Sequence, residues 1–360
     1  MISSLASLFG RQTPGLLGID ISSSSVKLVE LSKDKNGELV LDRCAMEPLE
    51  RGWVVDGNIE KFEEVAEALR RVVKKSGTRT KNVAMALPAS AVITKKILLP
   101  GGLNEQELEV QVESEANQYI PFSLDEVSLD FCVIGPSAAS SGDVEVLIAA
   151  SRKEKVQDRQ GLAEAAGLKP TVIDIESYAS RLGAARLIQN LPNQAQNAVV
   201  ALFEIGALAT SMQVLKNDDV LYERDQAFGG AQLTQLIVRQ YGFSLEEAES
   251  KKHLNDFPED YPAGILGPFV HSLAQEITRA LQFFFTSTPY NKVDYVMLSG
   301  GSCALPGLLE AVTAATATVC VMGNPFDRMQ LGPEVRQAKM QREACSYLTS
   351  CGLAMRRFMQ

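Results

Sequence analysis

Apolar and polar positions along the chain fall into a pattern that recurs: an apolar run, a short break of small or acidic residues, and a second apolar run. Residues 16–31 read LLGIDISSSSVKLVEL and residues 198–215 read AVVALFEIGALATSMQVL. Both place Val, Leu and Ile on either side of a bend of small residues, which predicts two β-hairpins. Glu204 and Gly206 stand in the second where Asp20 and Ser22 stand in the first. Residues 294–312, DYVMLSGGSCALPGLLEAV, predict a strand, a Gly-Gly turn and a helix with Pro306 in its early part. Residues 227–237, AFGGAQLTQLI, predict a helix that starts at Gly229-Gly230.

Helical periodicity is clear elsewhere. Residues 61–77 put Phe62, Val65, Leu69, Val72 and Val73 on one face, carry Lys74 and Lys75 in the last turn and stop at Gly77. A second helix starts at Asn104, answered by Glu107 in the manner of a capping box, and runs through Leu108, Val112 and Ala116 to about Tyr119. From 92 to 174 the pattern reads strand, helix, strand, strand, helix, strand, with a small-residue link at 135–142. This predicts a compact α+β unit, about 92–166, inserted into a larger lobe; its acidic helix surface reads as a solvated face, and its sheet edge suits an incoming peptide. The C-terminal LTSCGLAMRRFMQ predicts a last core helix, and Met1–Phe9, although Ile2, Leu5, Leu8 and Phe9 have roughly helical spacing, reads as a frayed tail. The expected organisation is a flexible tail at 1–14, a first lobe at 15–195 carrying the insertion, a second lobe at 196–339, and a C-terminal helix at 340–360 packing back on the core. A hairpin with an acid at its bend, recurring half a chain later, points to two related α/β lobes facing each other across a cleft; two ordinary hairpins alike by chance would read the same.

Composition narrows the function classes. A chain of 360 residues with 46% hydrophobic and 22% charged residues is long enough for two cored lobes. A net charge of -9 argues against a nucleic-acid binder, which needs a basic face to displace counterions from phosphates. No stretch approaches the roughly 20 apolar residues of a membrane span, and the N-terminus lacks a secretory pattern, so a cytoplasmic protein is expected. Six cysteines scattered without a CxxC pair read as reduced structural thiols, and two distant histidines, His253 and His271, offer no zinc pair. There is no GxxxxGK[ST], no strand-GxGxxG-helix and no GxSxG, which excludes the P-loop, Rossmann and serine-hydrolase readings.

The bends carry the candidate chemistry. Ser22, Ser23, Ser24 and Ser25 offer hydroxyl and backbone donors to phosphate oxygens, Asp20 suits a magnesium ion held through water, and Lys27 supplies a compact positive charge. A turn whose hydroxyls bond their own backbone fits the same residues. The second bend offers Glu204, Gly206, Ala207 and Thr210, so that Asp20 and Glu204 would share one hydrated Mg²⁺ between lobes. Gly229-Gly230 at a helix start, and Gly300, Gly301 and Ser302, suit an anion or a sugar edge.

The order of these elements resembles the actin, Hsp70 and hexokinase-like ATPases. GIDISSSSVK is similar to their first phosphate loop, FEIGALAT to the second and LSGGSCALP to the adenosine loop. AFGG followed by EEAESKK resembles the segment in which a glutamate and a lysine contact the nucleoside, which selects Glu249 and Lys252. The resemblance implies a two-lobed, duplicated RNase H-like α/β fold, with the insertion standing as a 1C subdomain like that of the cell-division protein FtsA. A narrower likeness, carried by PASAVITKKILLP, EANQYIPFSLDEVSLDF and the terminal CGLAMR, is to the PilM family of type IV pilus assembly. It implies ATP or ADP with Mg²⁺ between the lobes and capture of the cytoplasmic N-terminal peptide of the inner-membrane protein PilN in a groove between subdomains 1A and 1C. Contacts with pilus motor ATPases and inner-membrane platform proteins are implied as well, with membrane contact indirect, through the partner. In this fold the second phosphate loop usually starts with aspartate; Glu204 keeps the charge one methylene further out, so binding is expected and hydrolysis weak or absent. An FtsA-like filament protein and a small-molecule kinase of the same superfold are the competing functions.

Overall fold

The computed structural model describes residues 14–137, 140–217, 219–254 and 256–359. The expectation for Met1–Phe9 lies outside them. Strand β1 (Leu17–Ile21) is buried along its whole length and pairs antiparallel with β2 (Ser25–Lys33), which pairs antiparallel with β3 (Leu39–Pro48). A two-residue-stranded hairpin, β4 (Val54–Val55) and β5 (Asn58–Ile59), leads to helix α1 (Phe62–Ser76). Val65, Leu69 and Val72 of α1 are fully buried and Gly77 ends it in the left-handed conformation, whereas Phe62, expected on the same face, is 37% exposed at the first turn. Strand β6 (Asn82–Leu87) then runs parallel to β1.

The insertion follows. Its strands β7 (Val92–Pro100), β8 (Val127–Pro136) and β9 (Asp143–Arg152) form a three-stranded sheet in the order β7-β9-β8, covered by α2 (Glu105–Tyr119). Asn104 and Glu107 cap α2 reciprocally, and Val112 and Ala116 pack with Ile97, Val146 and Ile148 into a core separate from that of the lobe. Helix α3 (Lys153–Ala165), grouped with the insertion on sequence, sends Leu162 and Ala163 into the core of the first sheet instead, among Leu69, Val72 and Val83. The unit with a core of its own therefore closes at Arg152. Strand β10 (Lys169–Ile175) completes the first sheet beside β6, and α4 (Glu176–Gln189) leaves its end.

The second lobe repeats the design. Strands β11 (Val199–Ile205), β12 (Thr210–Lys216) and β13 (Asp219–Gln226) are antiparallel; after α5 (Gly230–Tyr241), α6 (Leu245–Leu254) and α7 (Gly267–Ser287), strand β14 (Tyr295–Ser299) pairs parallel with β11. Helix α8 (Leu308–Thr316) and strand β15 (Val319–Met322), parallel to β14, complete the sheet. The order β13-β12-β11-β14-β15 reproduces β3-β2-β1-β6-β10, three antiparallel strands followed by two parallel ones. Two lobes with one topology answer the duplication that the paired hairpins suggested. Helix α8 begins at Leu308, after Pro306 rather than before it, because residues 300–307 form a longer turn.

Past the second sheet the chain returns to the first. Strand β16 (Gln330–Leu331) adds to the edge of β3, so the crossing back precedes residue 339. Helices α9 (Gln337–Glu343) and α10 (Leu348–Met355) follow, joined by a 3₁₀ turn. Helix α10 is buried from Leu348 to Ala354 and crosses α4 at glycines: a Cβ at Gly352 would strike the carbonyl of Ala179, and one at Gly183 that of Leu348. It is equally close to β1, where a Cβ at Gly18 would meet the Ser350 carbonyl and the Ala354 amide. The last core helix thus sits beneath both hairpins and locks the lobes to a common base.

Candidate functional site

The first bend is built around a buried ion pair. Asp20 and Lys27 face each other across the β1–β2 ladder, and the Lys27 Nζ lies 2.7 Å from Asp20 Oδ2 and 3.2 Å from the Ser22 Oγ. Both side chains are buried, so removing either partner would strand an uncompensated charge. The four serines divide. Ser22 donates its hydroxyl to the Ser25 carbonyl at 3.1 Å and lies 3.3 Å from the Ser25 hydroxyl, an internal turn network. The amides of Ser23 and Ser24 have no acceptor among the described residues and stay open to a ligand.

The second bend uses its polar atoms differently from the expectation. Gly206 N–H donates to the Ala209 carbonyl at 2.9 Å, and the Gly206 carbonyl accepts from Gly230 N and from the Ser302 hydroxyl at 3.0 and 3.1 Å. The Thr210 hydroxyl, expected among the phosphate donors, is buried and donates to the Phe228 carbonyl at 2.6 Å. Thr210 and Ser302 therefore fix loops to one another. Their donor hydrogens are turned away from any ligand. The Ala207 and Leu208 amides, by contrast, have no acceptor among the described residues.

The remaining loops close on this bend. At Gly300, φ is +88°, and a Cβ would collide with the Ile205 backbone; at Gly229 it would collide with the carbonyls of Gly206 and Ala207. Glycine is required here for contact between loops. Gly301 is exposed beside them. Lys252 bridges both Glu249 oxygens at 3.0 Å, the Thr234 hydroxyl at 2.8 Å and the Gly230 carbonyl at 3.4 Å, and Thr234 also donates to Glu249. The structure brings Glu249 and Lys252 to the start of α5, one loop away from Gly300-Ser302.

Three residues of the cleft floor escaped the sequence reading. Glu204 accepts from the Thr349 hydroxyl of α10 at 3.0 and 3.2 Å. Burial, then the neighbouring Asp20 charge, pushes its carboxyl up to about 7. Glu176, the first residue of α4, is pushed up to about 8, again by burial and then Asp20, against the pull of Arg159. Both carboxylates keep some accessible surface, but they line a floor with protein on most sides. Arg159, on α3, is buried and donates to the carbonyls of Ala86 and Gly57 at 3.1 and 2.7 Å. Asp20, Glu176 and Glu204 thus meet from β1, α4 and β11 around two cations, Lys27 and Arg159. Among the described residues no three acids, cysteines or histidines are close enough to ligate one metal ion directly. Acids that act on one another electrostatically, with open amides in both bends, are a donor set suited to a polyphosphate carrying a hydrated divalent ion.

Residues 18–358 match the family of type IV pilus assembly protein PilM. The chain belongs to the PilM family. Its fold is similar over 97% of its length to 99% of a chain in a solved PilM-PilN type IV pilus biogenesis complex, at 28% identity and a TM-score of 0.76. It is similar in fold to the ethanolamine utilization protein EutJ of Carboxydothermus hydrogenoformans (15% identity, TM-score 0.56, covering 95% and 89% of the two chains). A diol dehydratase-reactivating factor in nucleotide-free form is similar as well (11% identity, TM-score 0.55, covering 96% and 100%). The fold is the two-lobed actin-like α/β architecture. No helix among the described residues is long and apolar enough to cross a membrane.

In this member of the PilM family two recesses flank α4. A smaller one, about 180 Å³, opens where the inserted sheet meets α4 and the second lobe, between Thr94, Lys96, Leu147, Tyr178, Arg181 and Glu223. Thr94 of the inserted sheet, Ser177 and Tyr178 of α4 and Glu223 of the second lobe all line it, so three parts of the molecule close around it. Gln213, buried on β12, donates to the Ser177 carbonyl at 3.1 Å and the Ser180 hydroxyl at 3.0 Å, which pins the second lobe to α4.

Proposed function

We propose that this chain is an ATP- or ADP-binding cytoplasmic component of the type IV pilus assembly machinery that holds the cytoplasmic N-terminal peptide of PilN, and so works at the cytoplasmic face of the inner membrane. The observation that carries the partner reading is the recess between the inserted sheet and α4, with Lys96 and Arg181 at its rim. An extended peptide suits it: the edge strand β7 presents backbone groups, and the mouth is basic. PilN stands as the partner in the solved complex to which this chain is similar.

The nucleotide reading rests on the convergence of both bends, the 300–302 turn and the Glu249–Lys252 pair in one cleft. The Ser23, Ser24, Ala207 and Leu208 amides would hold phosphate oxygens, and Asp20 and Glu204 would hold Mg²⁺ through its water shell. When bound, that ion neutralises phosphate charge. Glu204 is held back by Thr349 and reaches one methylene further than an aspartate, so an attacking water is poorly placed and the nucleotide is retained rather than turned over. Isothermal titration with the PilN N-terminal peptide, with and without Mg-ATP, tests the reading. Binding in the low micromolar range or tighter is expected, and no heat in either condition sinks it.

A further inference from the structure

The length that Glu204 has over an aspartate ends on helix α10. Its carboxylate oxygens lie 3.0 and 3.2 Å from the buried Thr349 hydroxyl, in the first turn of that helix. An aspartate at 204, shorter by one C–C bond of about 1.5 Å, would leave its oxygens beyond hydrogen-bond reach of Thr349 unless the backbone moved. The contact therefore requires a glutamate.

Thr349 is aimed at Glu204 by what happens one turn earlier. A helical threonine commonly donates to the carbonyl four residues back, as Thr278, Thr313 and Thr316 do in this chain. For Thr349 that carbonyl belongs to Cys345, and it already accepts from the Ser299 hydroxyl at 2.8 Å and the Gly300 amide at 2.9 Å. With both lone pairs filled from the second lobe, the Thr349 hydroxyl is left for the carboxylate. Its neighbour shows the contrast: Ser350, also buried, donates back to the Tyr347 carbonyl at 3.1 Å. Ser299 is also the register partner of Glu204 on the adjacent parallel strands β11 and β14. Both side chains leave the sheet on one face and meet the same stretch of chain, 345–349. The acid of the second bend and the strand end that opens the 300–302 turn are thus seated on one segment.

We propose that Thr349 is a positioning residue for a divalent cation: it fixes the Glu204 carboxylate at the cleft floor, so that the hydrated ion accompanying a nucleotide meets an acid already held in place. Ser299, by occupying the Cys345 carbonyl, keeps the Thr349 hydroxyl available for this. The inference rests on the nucleotide reading above. Its consequence is that the C-terminal segment sets cation affinity without touching the cation.

The test titrates the full chain with Mn²⁺ in the presence of ADP, counting free ion by electron paramagnetic resonance, and with a fluorescent ADP analogue in EDTA as the metal-free control. Thr349→Val, similar in shape but without the hydroxyl, is expected to weaken Mn²⁺ binding about tenfold and to leave metal-free nucleotide affinity within about twofold. Thr349→Ser, which keeps the hydroxyl, is expected to stay within about threefold of wild type. Glu204→Asp alone is expected to lose about tenfold, and Thr349→Val added to it no more than about twofold further, because the aspartate does not reach the hydroxyl. Three results overturn the proposal while the nucleotide reading stands: Mn²⁺ affinity unmoved by Thr349→Val, an undiminished loss from Thr349→Val in the Glu204→Asp background, or an equal loss of metal-free nucleotide affinity. If circular dichroism shows that Thr349→Val does not fold, Glu204→Asp decides alone, and Mn²⁺ binding as tight as wild type in that variant overturns the proposal. A wild-type chain that binds no nucleotide, with or without Mn²⁺, overturns both.

Discussion

Replacing Glu176 by glutamine gives a stability change whose sign depends on pH. The ordinary carboxyl value is 4.5 and burial at the cleft floor, with Asp20 beside it, lifts the folded-state value to about 8. The folded chain therefore holds a proton that the unfolded chain has lost between about pH 4.5 and 8, and the ionised carboxylate costs stability that grows as pH rises through that window. A rise of that size corresponds to at most about 5 kcal/mol. Solvent in the cleft and coupling to Asp20 and Glu204 reduce it to about 1–3 kcal/mol. Glu176→Gln mimics the protonated form and removes the cost. Trp53, the only tryptophan, packs against the first-lobe core and reports that lobe's unfolding. With a urea slope of about 2 kcal/mol/M, the variant's midpoint should rise by about 0.5–1.5 M at pH 8.5 and by no more than about 0.3 M at pH 5. An equal gain at both pH values, or a loss at pH 8.5, refutes the assignment of Glu176 to a charged cluster at the cleft floor.

Further outcomes follow from the same contacts. Asp20→Ala leaves the Lys27 ammonium buried without its partner, 2.7 Å away in the wild type, and should cost about 3–5 kcal/mol in urea unfolding; adding Lys27→Met should recover most of the stability but not affinity for a fluorescent ATP analogue. Unchanged nucleotide affinity in Asp20→Ala would make the first hairpin structural only. Thr349→Val removes the hydrogen bond that lowers the Glu204 carboxyl, so its titration, followed by ¹³C NMR of the side-chain carboxyl, should move above about 7; an unmoved midpoint contradicts the contact. Gly18→Ala drives a methyl into the Ser350 carbonyl and should lower the melting temperature by several degrees, whereas Gly37→Ala, exposed and without neighbours, carries only its backbone strain of about 1 kcal/mol.

Local pattern was enough to place both hairpins, the reciprocal cap at Asn104 and Glu107, the stop at Gly77 and the buried last helix, because each depends on residues within a few positions of one another. Topological duplication was legible only as two similar bends; the matching strand orders needed pairings such as Leu17 with Val83 and Val200 with Tyr295, far apart along the chain. The same distance hid the floor of the cleft. Glu176 looks like an ordinary helix-start acid, Arg159 like a surface residue of an amphipathic helix and Thr349 like part of an apolar run, and they acquire their roles only where α3, α4 and α10 converge. Tertiary contacts also decided what the predicted polar residues do: the Thr210 and Ser302 hydroxyls meet backbone carbonyls that no nearby sequence supplies. The sequence alone determined that two acid-bearing hairpins exist and that the chain resembles the PilM family. Which of their donors remain open, how the acids shift one another's protonation, and where α4 leaves a recess beside the inserted sheet are set by packing, since burial and charge proximity are properties of the assembled lobes and not of any segment.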